Sequence, residues 1–202
     1  MKKKELEILL QKVPNYKNPI PNLEQYLTPA NIAADIIFYA FQLGDIKNKI
    51  ILDLGCGTGI FSVGSFITGA KKVIGIDIDN SCIEIARKYA LDNQYEISFY
   101  VKSIEKVNEK CDTILMNPPF GAQKSNINID RVFIKKGLEL SPVIYSLHLT
   151  KTLSFIRNLV EKNGGNIIFC KNYDFPIKWS FDFHKKSKIN YEVSLLKIEK
   201  EK

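Results

Sequence analysis

A chain of 202 residues with 45% hydrophobic content is long and apolar enough for one domain with a single core, which excludes a disordered polypeptide. Its formal net charge of +7 favours polyanionic partners such as nucleic acid. No run has the apolar length of a membrane span or a secretory signal, so we expect a protein of the cytoplasm that does not act at a membrane.

The four cysteines are Cys56, Cys82, Cys111 and Cys170, and no two of them have the close spacing of zinc ligands. Scattered cysteines of this kind are typical of reduced core residues. We therefore predict no metal site in this chain.

The first 22 residues are predicted to form a short helix and an irregular arm. Several leucines and isoleucines precede Pro14, after which Pro19 and Pro21 interrupt any regular structure. Residues 23–202 are expected to form a single domain. Thr28 has the character of a helix N-cap and is followed by Pro29, so a helix is predicted to start there.

From residue 49 onward, apolar strand patterns alternate with helical ones. The predicted strands are residues 49–54, 73–78, 97–101, 113–116, 143–147, 167–170 and 191–198. The predicted helices are residues 58–68, 81–89, 132–140 and 150–161, and Ser81 with Glu84 has the spacing of a capping box. This alternation is typical of an α/β fold with a seven-stranded, mostly parallel sheet and helices on both faces. A non-helical loop containing Pro176 precedes the last strand, which is therefore predicted to be antiparallel.

A glycine-rich turn follows the first predicted strand. It runs from Asp53 through Gly55, Gly57 and Thr58 to Gly59, and glycines let a ligand approach the main chain closely. A dinucleotide fingerprint would place its third glycine at position 60, where this chain has Ile60. The spacing therefore disfavours NAD and FAD.

The second predicted strand ends at Asp77, at the sheet edge where open α/β proteins bind their ligands. A carboxylate at this position can accept hydrogen bonds from both hydroxyls of a ribose. An ordinary strand-to-helix turn with Asp77 as a helix cap is the alternative. The glycine turn and Asp77 in this order favour a site for the methyl donor S-adenosylmethionine.

The tetrapeptide Asn117-Pro118-Pro119-Phe120 follows the fourth strand and is the predicted catalytic segment. The Asn117 side-chain oxygen and the Pro118 carbonyl can accept both hydrogens of an aromatic amine, which localises its lone pair towards the methyl group. The prolines fix the turn, and Phe120 offers a flat face to a base. The alternative is a structural turn with a buried phenylalanine.

The sequence resembles the ribosomal RNA adenine-N6 methyltransferases related to methyltransferase-like protein five, which have the Rossmann-like class I methyltransferase fold. The resemblance covers most of the chain and is carried by the glycine turn and by residues 23–29, 75–79, 116–121, 145–148 and 183–186. It implies that residues 23–202 form a methyltransferase domain and that the substrate is RNA, with small-subunit ribosomal RNA expected.

The resemblance also implies site residues. The donor site would be lined by Gln25, Thr28, Gly55, Thr58, Ile60 and Asp77, and the residues from Asn117 to Phe120 would hold the adenine. We add Asp53, Gly57, Gly59 and Asn117 to the donor set. Ser103 stands where the family usually has an aspartate that contacts the adenine of the donor. Its hydroxyl is predicted to take that role, and a movement of Glu105 into the site is the alternative. Eukaryotic members work with a small zinc-binding activator protein that pairs with an edge strand.

Lysines interleaved with aromatic residues near the C-terminus suit a looped or single-stranded RNA, and Lys185, Lys186 and Lys188 are the predicted contacts. A solvated lysine loop is the alternative. Three rival functions stay open: methylation of a protein glutamine amide at N5, methylation of adenine N6 in DNA, and RNA binding by a scaffold without catalysis. Enzymes that read a DNA sequence usually carry an additional recognition region, which disfavours the second.

Overall fold

The computed structural model describes residues 1–120, 129–178 and 188–201. The α-helices in this part of the chain are α1 (Lys3–Leu10), α2 (Ala30–Gln42), α3 (Ile60–Ile67), α4 (Asn80–Asp92), α5 (Ile129–Leu140) and α6 (Leu153–Lys162). The strands are β1 (Ile50–Leu54), β2 (Lys72–Asp77), β3 (Ile97–Val101), β4 (Thr113–Met116), β5 (Val143–Leu149), β6 (Gly165–Lys178) and β7 (Lys188–Lys200).

The strands form one sheet in the order β3-β2-β1-β4-β5-β7-β6. The first five are mutually parallel, whereas β7 is antiparallel to both of its neighbours. The predicted α/β fold, with seven strands and an antiparallel last strand, is confirmed. The strand order reverses between β1 and β4, and open α/β sheets bind ligands in the crevice at such a switch point.

Helices cover both faces of the sheet. One apolar cluster joins α1, α2 and α3 to side chains such as Ile51 and Leu115, and another joins α5 and α6 to Leu52 and Ile114. The N-terminal helix belongs to the first cluster, where Leu6 is fully buried. None of the helices in the described part of the chain has the length and apolar character that crossing a bilayer requires.

Two predicted boundaries were wrong for local physical reasons. The helix expected from residue 58 begins only at Ile60, because Gly57 and Gly59 adopt left-handed backbone angles with φ of +53° and +92°. Pro176 was predicted in a loop but lies within β6, opposite Asn190. β6 is at the edge of the sheet, where a residue without an N–H group is tolerated.

Candidate active site

A cavity of about 280 Å³ lies at the carboxyl ends of the central strands. The predicted site residues in its wall are Gln25, Thr28, Gly55, Ile60, Asp77, Ser103, Asn117 and Pro119. Residues that are far apart in sequence therefore come together at the predicted edge of the sheet. The wall also contains Tyr16, Tyr26 and Lys102, which sequence reasoning missed.

The glycine turn between β1 and α3 wraps around the end of β2. The backbone N–H groups of Gly55 and Cys56 both donate to the carbonyl oxygen of Ile76. The Gly57 N–H donates to Asp77 Oδ2 at 2.8 Å, and Asp79 N–H donates to Asp77 Oδ1 at 2.9 Å. Asp77 is thereby fixed at the cavity wall, where its remaining lone pairs can accept ribose hydroxyls.

Gln25 ties the N-terminal arm to the start of α4. Its Nε2 donates to Asp79 Oδ2 at 2.7 Å, and its Oε1 accepts from the backbone N–H of Ile20 at 2.7 Å. The amide nitrogen and oxygen of Gln25 thus both hold the arm against the donor side of the cavity.

The predicted capping box of Ser81 with Glu84 is wrong, because Asp79 is the N-cap and accepts from the Ser81 N–H and hydroxyl groups.

Asn117 is held by Thr28, and both residues are in the wall of the cavity. The Asn117 amide Nδ2 donates to Thr28 Oγ1 at 3.1 Å. The prediction of Thr28 as a helix N-cap was wrong, since Pro29 takes that position and the Thr28 hydroxyl turns to Asn117 instead. Asn117 Oδ1 is buried and has no hydrogen-bond partner among the described residues. A buried acceptor without a partner is costly, so this oxygen is suited to accept a hydrogen bond from a bound molecule.

Some predicted donor residues stand behind the cavity wall. Asp53 is almost fully buried, and its Oδ2 accepts from the backbone N–H and the hydroxyl of Ser62 at 2.8 and 2.6 Å. Thr58 and Gly59 likewise lie within the turn and not in the wall. Asp53 therefore joins β1 to α3 and supports the turn from beneath.

The burial of Asp53 predicts a pH dependence of stability. Burial raises the pKa of its carboxyl from 3.8 to about 7, against the opposing effect of the Ser62 hydrogen bonds. Between about pH 4 and pH 7 the folded protein keeps a proton that the unfolded chain releases, so Asp53 makes folding less favourable as the pH rises through this window. We expect Asp53→Asn to gain thermal stability relative to the parent chain as the pH rises from about 4 to about 7.

The melting temperatures of both proteins across this range test the prediction. The asparagine oxygen can still accept from Ser62, so the comparison isolates the charge. A difference between the two proteins that does not change with pH would show that Asp53 does not titrate in this window.

Tyr16 packs its hydroxyl group against the glycine turn. A Cβ atom at residue 57 would lie 2.2 Å from Tyr16 Oη, and Gly57 also has a left-handed φ. We expect Gly57→Ala to push Tyr16 and its arm outward, weakening binding of the donor and lowering the melting temperature. Gly164 is the matched control, because its φ is +74° and nothing lies within 4 Å of its added Cβ. Gly164→Ala should cost only about 1–2 kcal/mol of backbone strain and leave donor affinity unchanged.

Phe120 belongs to an aromatic group beside the cavity. Its ring faces that of Tyr26 with centroids 6.3 Å apart and an interplanar angle of 23°. The fully buried Phe175 meets Phe120 edge-on at 5.9 Å and 87°. Phe120 is therefore supported from the core while one face remains towards Tyr26.

These features fit S-adenosylmethionine. Gly55 brings the backbone of the glycine turn to the cavity wall, and Asp77 can accept the ribose hydroxyls. The unpartnered Asn117 Oδ1 can accept a hydrogen bond from a group bound in the cavity. Ser103 is in the wall after β3, where its hydroxyl can hydrogen-bond to the donor.

The predicted RNA-binding loop could not be placed. Lys185 and Lys186 lie outside the described residues, and Lys188 is the first residue of β7. Within the part of the chain that the structure describes, no group of three or more His, Cys, Asp and Glu side chains could hold a metal ion.

Comparison with known proteins places this geometry in a family. Residues 32–140 match the model of the methyltransferase small domain, which is more than half of the chain. The chain belongs to this family. It is an S-adenosylmethionine-dependent methyltransferase, and the class I fold predicted from its motifs is confirmed.

Individual relatives of the methyltransferase agree with the resemblance seen in its motifs. The rRNA N6-adenosine-methyltransferase METTL5 of Danio rerio is 35% identical over 98% of this chain and 99% of its own length. A crystal structure of a candidate RNA methyltransferase from Pyrococcus horikoshii has a TM-score of 0.92 and 33% identity, covering 100% of this chain and 99% of that one. A candidate protein N5-glutamine methyltransferase of Methanocaldococcus jannaschii is 38% identical over 48% of this chain and 50% of its own length.

Proposed function

We propose that the methyltransferase transfers the methyl group of S-adenosylmethionine to the exocyclic N6 of an adenine in structured RNA, with small-subunit ribosomal RNA as the target. The observation that carries the proposal is the buried, unpartnered Oδ1 of Asn117, which is held at the cavity by Thr28. Full-length similarity to an rRNA adenine methyltransferase supports it further.

Bound S-adenosylmethionine supplies an electrophilic methyl group on a sulfonium. Asn117 Oδ1 accepts one hydrogen of the adenine amine, and the backbone carbonyl of Pro118 accepts the other. These two contacts oppose delocalisation of the nitrogen lone pair into the ring and aim it at the methyl carbon. Methyl transfer to this nitrogen would leave S-adenosylhomocysteine and one proton, which would pass from the amine to water. The enzyme therefore contributes position and hydrogen-bond acceptors, with no covalent intermediate on the protein.

Glutamine N5 methylation is the second candidate, because the relative from Methanocaldococcus jannaschii shares half of its length with this chain. A primary amide also presents a planar nitrogen with two hydrogens to Asn117. The match to the ribosomal RNA enzyme covers nearly the whole of both proteins, and we therefore favour adenine.

The direct test is to incubate the purified methyltransferase with methyl-labelled donor and, in parallel, total RNA, DNA or protein. We expect label in RNA, recovered as N6-methyladenosine after digestion to nucleosides. Label in DNA adenine would transfer the proposal to DNA, and label in protein as N5-methylglutamine would replace it with the amide reaction.

We also propose that a small zinc-binding activator protein pairs with β3. This strand is at the sheet edge next to the donor side of the cavity, and Tyr100 and Val101 are 47% and 44% exposed. An exposed edge strand can add a strand from a partner. Because the proposed substrate is ribosomal RNA, we also propose that the enzyme acts in the cytoplasm.

A further inference from the structure

Two segments of the chain run side by side at the acceptor end of the cavity. The Thr28–Asn117 hydrogen bond joins them. Tyr26 lies two residues before Thr28, Phe120 lies three residues after Asn117, and the two rings face each other. The rings form the walls of a slot that neighbours the hydrogen-bonded pair in both segments.

The two walls are spaced more widely than rings that stack directly. Tyr39 and Phe169, elsewhere in this protein, stack with centroids 4.4 Å apart at 29°. Tyr26 and Phe120 have a similar angle of 23° but centroids 6.3 Å apart, nearly 2 Å wider. A flat ring between two others needs about 7 Å, twice the contact distance of carbon atoms. A small outward movement of Tyr26 would open that space.

Tyr26 and Phe120 both pack against the same core cluster but differ in their immediate neighbours. Phe120 rests edge-on against Phe175, which is fully buried in the core. Tyr26 is half-buried and belongs to the irregular arm before α2. Burial, together with the smaller effect of the nearby Glu24 charge, raises the pKa of the Tyr26 hydroxyl to about 12. Tyr26 is therefore uncharged at neutral pH.

We propose that Tyr26 is a specificity-determining residue that stacks on the target base opposite Phe120, so that the base is held between two aromatic rings with its amine at Asn117. This inference rests on the proposed adenine acceptor and adds the means of selecting it. A purine between the rings would contact the inner face of each. A glutamine side chain also presents a planar nitrogen with two hydrogens but would leave those faces uncovered. The slot thus selects a flat base over an amide.

The test compares Tyr26→Leu with Tyr26→Phe in the full chain, with total RNA as acceptor and N6-methyladenosine as the measured product. Tyr26→Leu removes the stacking of one base on an aromatic side chain, so we expect its kcat/KM to fall about 10- to 100-fold. Tyr26→Phe keeps the ring and should stay close to the parent chain. The Kd for S-adenosylmethionine should be unchanged in both, because the stacking contact is made with the acceptor.

Tyr39→Leu is the matched control, since it removes one ring of a stacked pair that does not line the cavity. It should lower the melting temperature without a selective loss of RNA methylation. If Tyr26→Leu methylates RNA adenine as well as the parent does, or loses donor binding to the same extent as methylation, the slot is overturned while adenine methylation stands. If the parent labels no adenine, the proposed function fails and the slot falls with it.

Discussion

Replacement of Asn117 by alanine should lower methyl transfer about 100- to 1,000-fold, the usual loss when one preorganised transition-state contact is removed. Its Oδ1 is a buried acceptor in the cavity wall without a partner among the described residues, and its amide is held by Thr28. Without this oxygen the amine has one hydrogen-bond acceptor fewer and its lone pair remains delocalised. The loss should appear in kcat, measured at saturating donor and RNA.

Two further variants separate the catalytic contact from general damage. Asn108→Ala changes an exposed asparagine and should leave kcat unchanged. Thr28→Val keeps Asn117 but removes the acceptor of its amide, so its kcat should fall between those of the parent and Asn117→Ala. Wild-type activity in Asn117→Ala would show that the oxygen does not act on the substrate.

The second large effect is expected on donor affinity. Asp77→Ala should raise the Kd for S-adenosylmethionine about 10- to 100-fold, as for the loss of hydrogen bonds to a charged group. The carboxylate also holds the Gly57 N–H, so the glycine turn loses its anchor. Calorimetric titration of the folded variant measures the change.

The product S-adenosylhomocysteine sharpens this test, because it shares the ribose with the donor and lacks the sulfonium charge. Its Kd should rise by the same factor if Asp77 acts on the ribose. Asp92→Ala, which removes an exposed carboxylate paired with Lys88, should change neither affinity. A loss of affinity for S-adenosylmethionine alone would mean that Asp77 interacts with the sulfonium charge and not with the ribose.

The central site could be predicted from the sequence because its parts are local motifs at strand ends. The glycine turn, Asp77 and Asn117 each follow directly from an apolar strand, and parallel strands bring their carboxyl ends to one edge of the sheet. Predicting a mostly parallel sheet was therefore enough to expect these side chains at one edge.

An irregular arm was predicted, but its contacts with the cavity could not be, because residues between Pro14 and Thr28 have no helical or strand periodicity. Tyr16 and Tyr26 reach the cavity through tertiary contacts that no short pattern encodes. Thr28 was misread for a related reason: its preference for an N-cap is a local property, whereas its actual partner, Asn117, is 89 residues away.

The most direct test of the account is nucleoside analysis of small-subunit ribosomal RNA from cells in which the gene is deleted, then restored as the parent chain or as Asn117→Ala. We predict that N6-methyladenosine falls on deletion, returns with the parent chain and stays low with Asn117→Ala. An unchanged level of N6-methyladenosine in the deleted cells would contradict the assignment of ribosomal RNA adenine as the substrate.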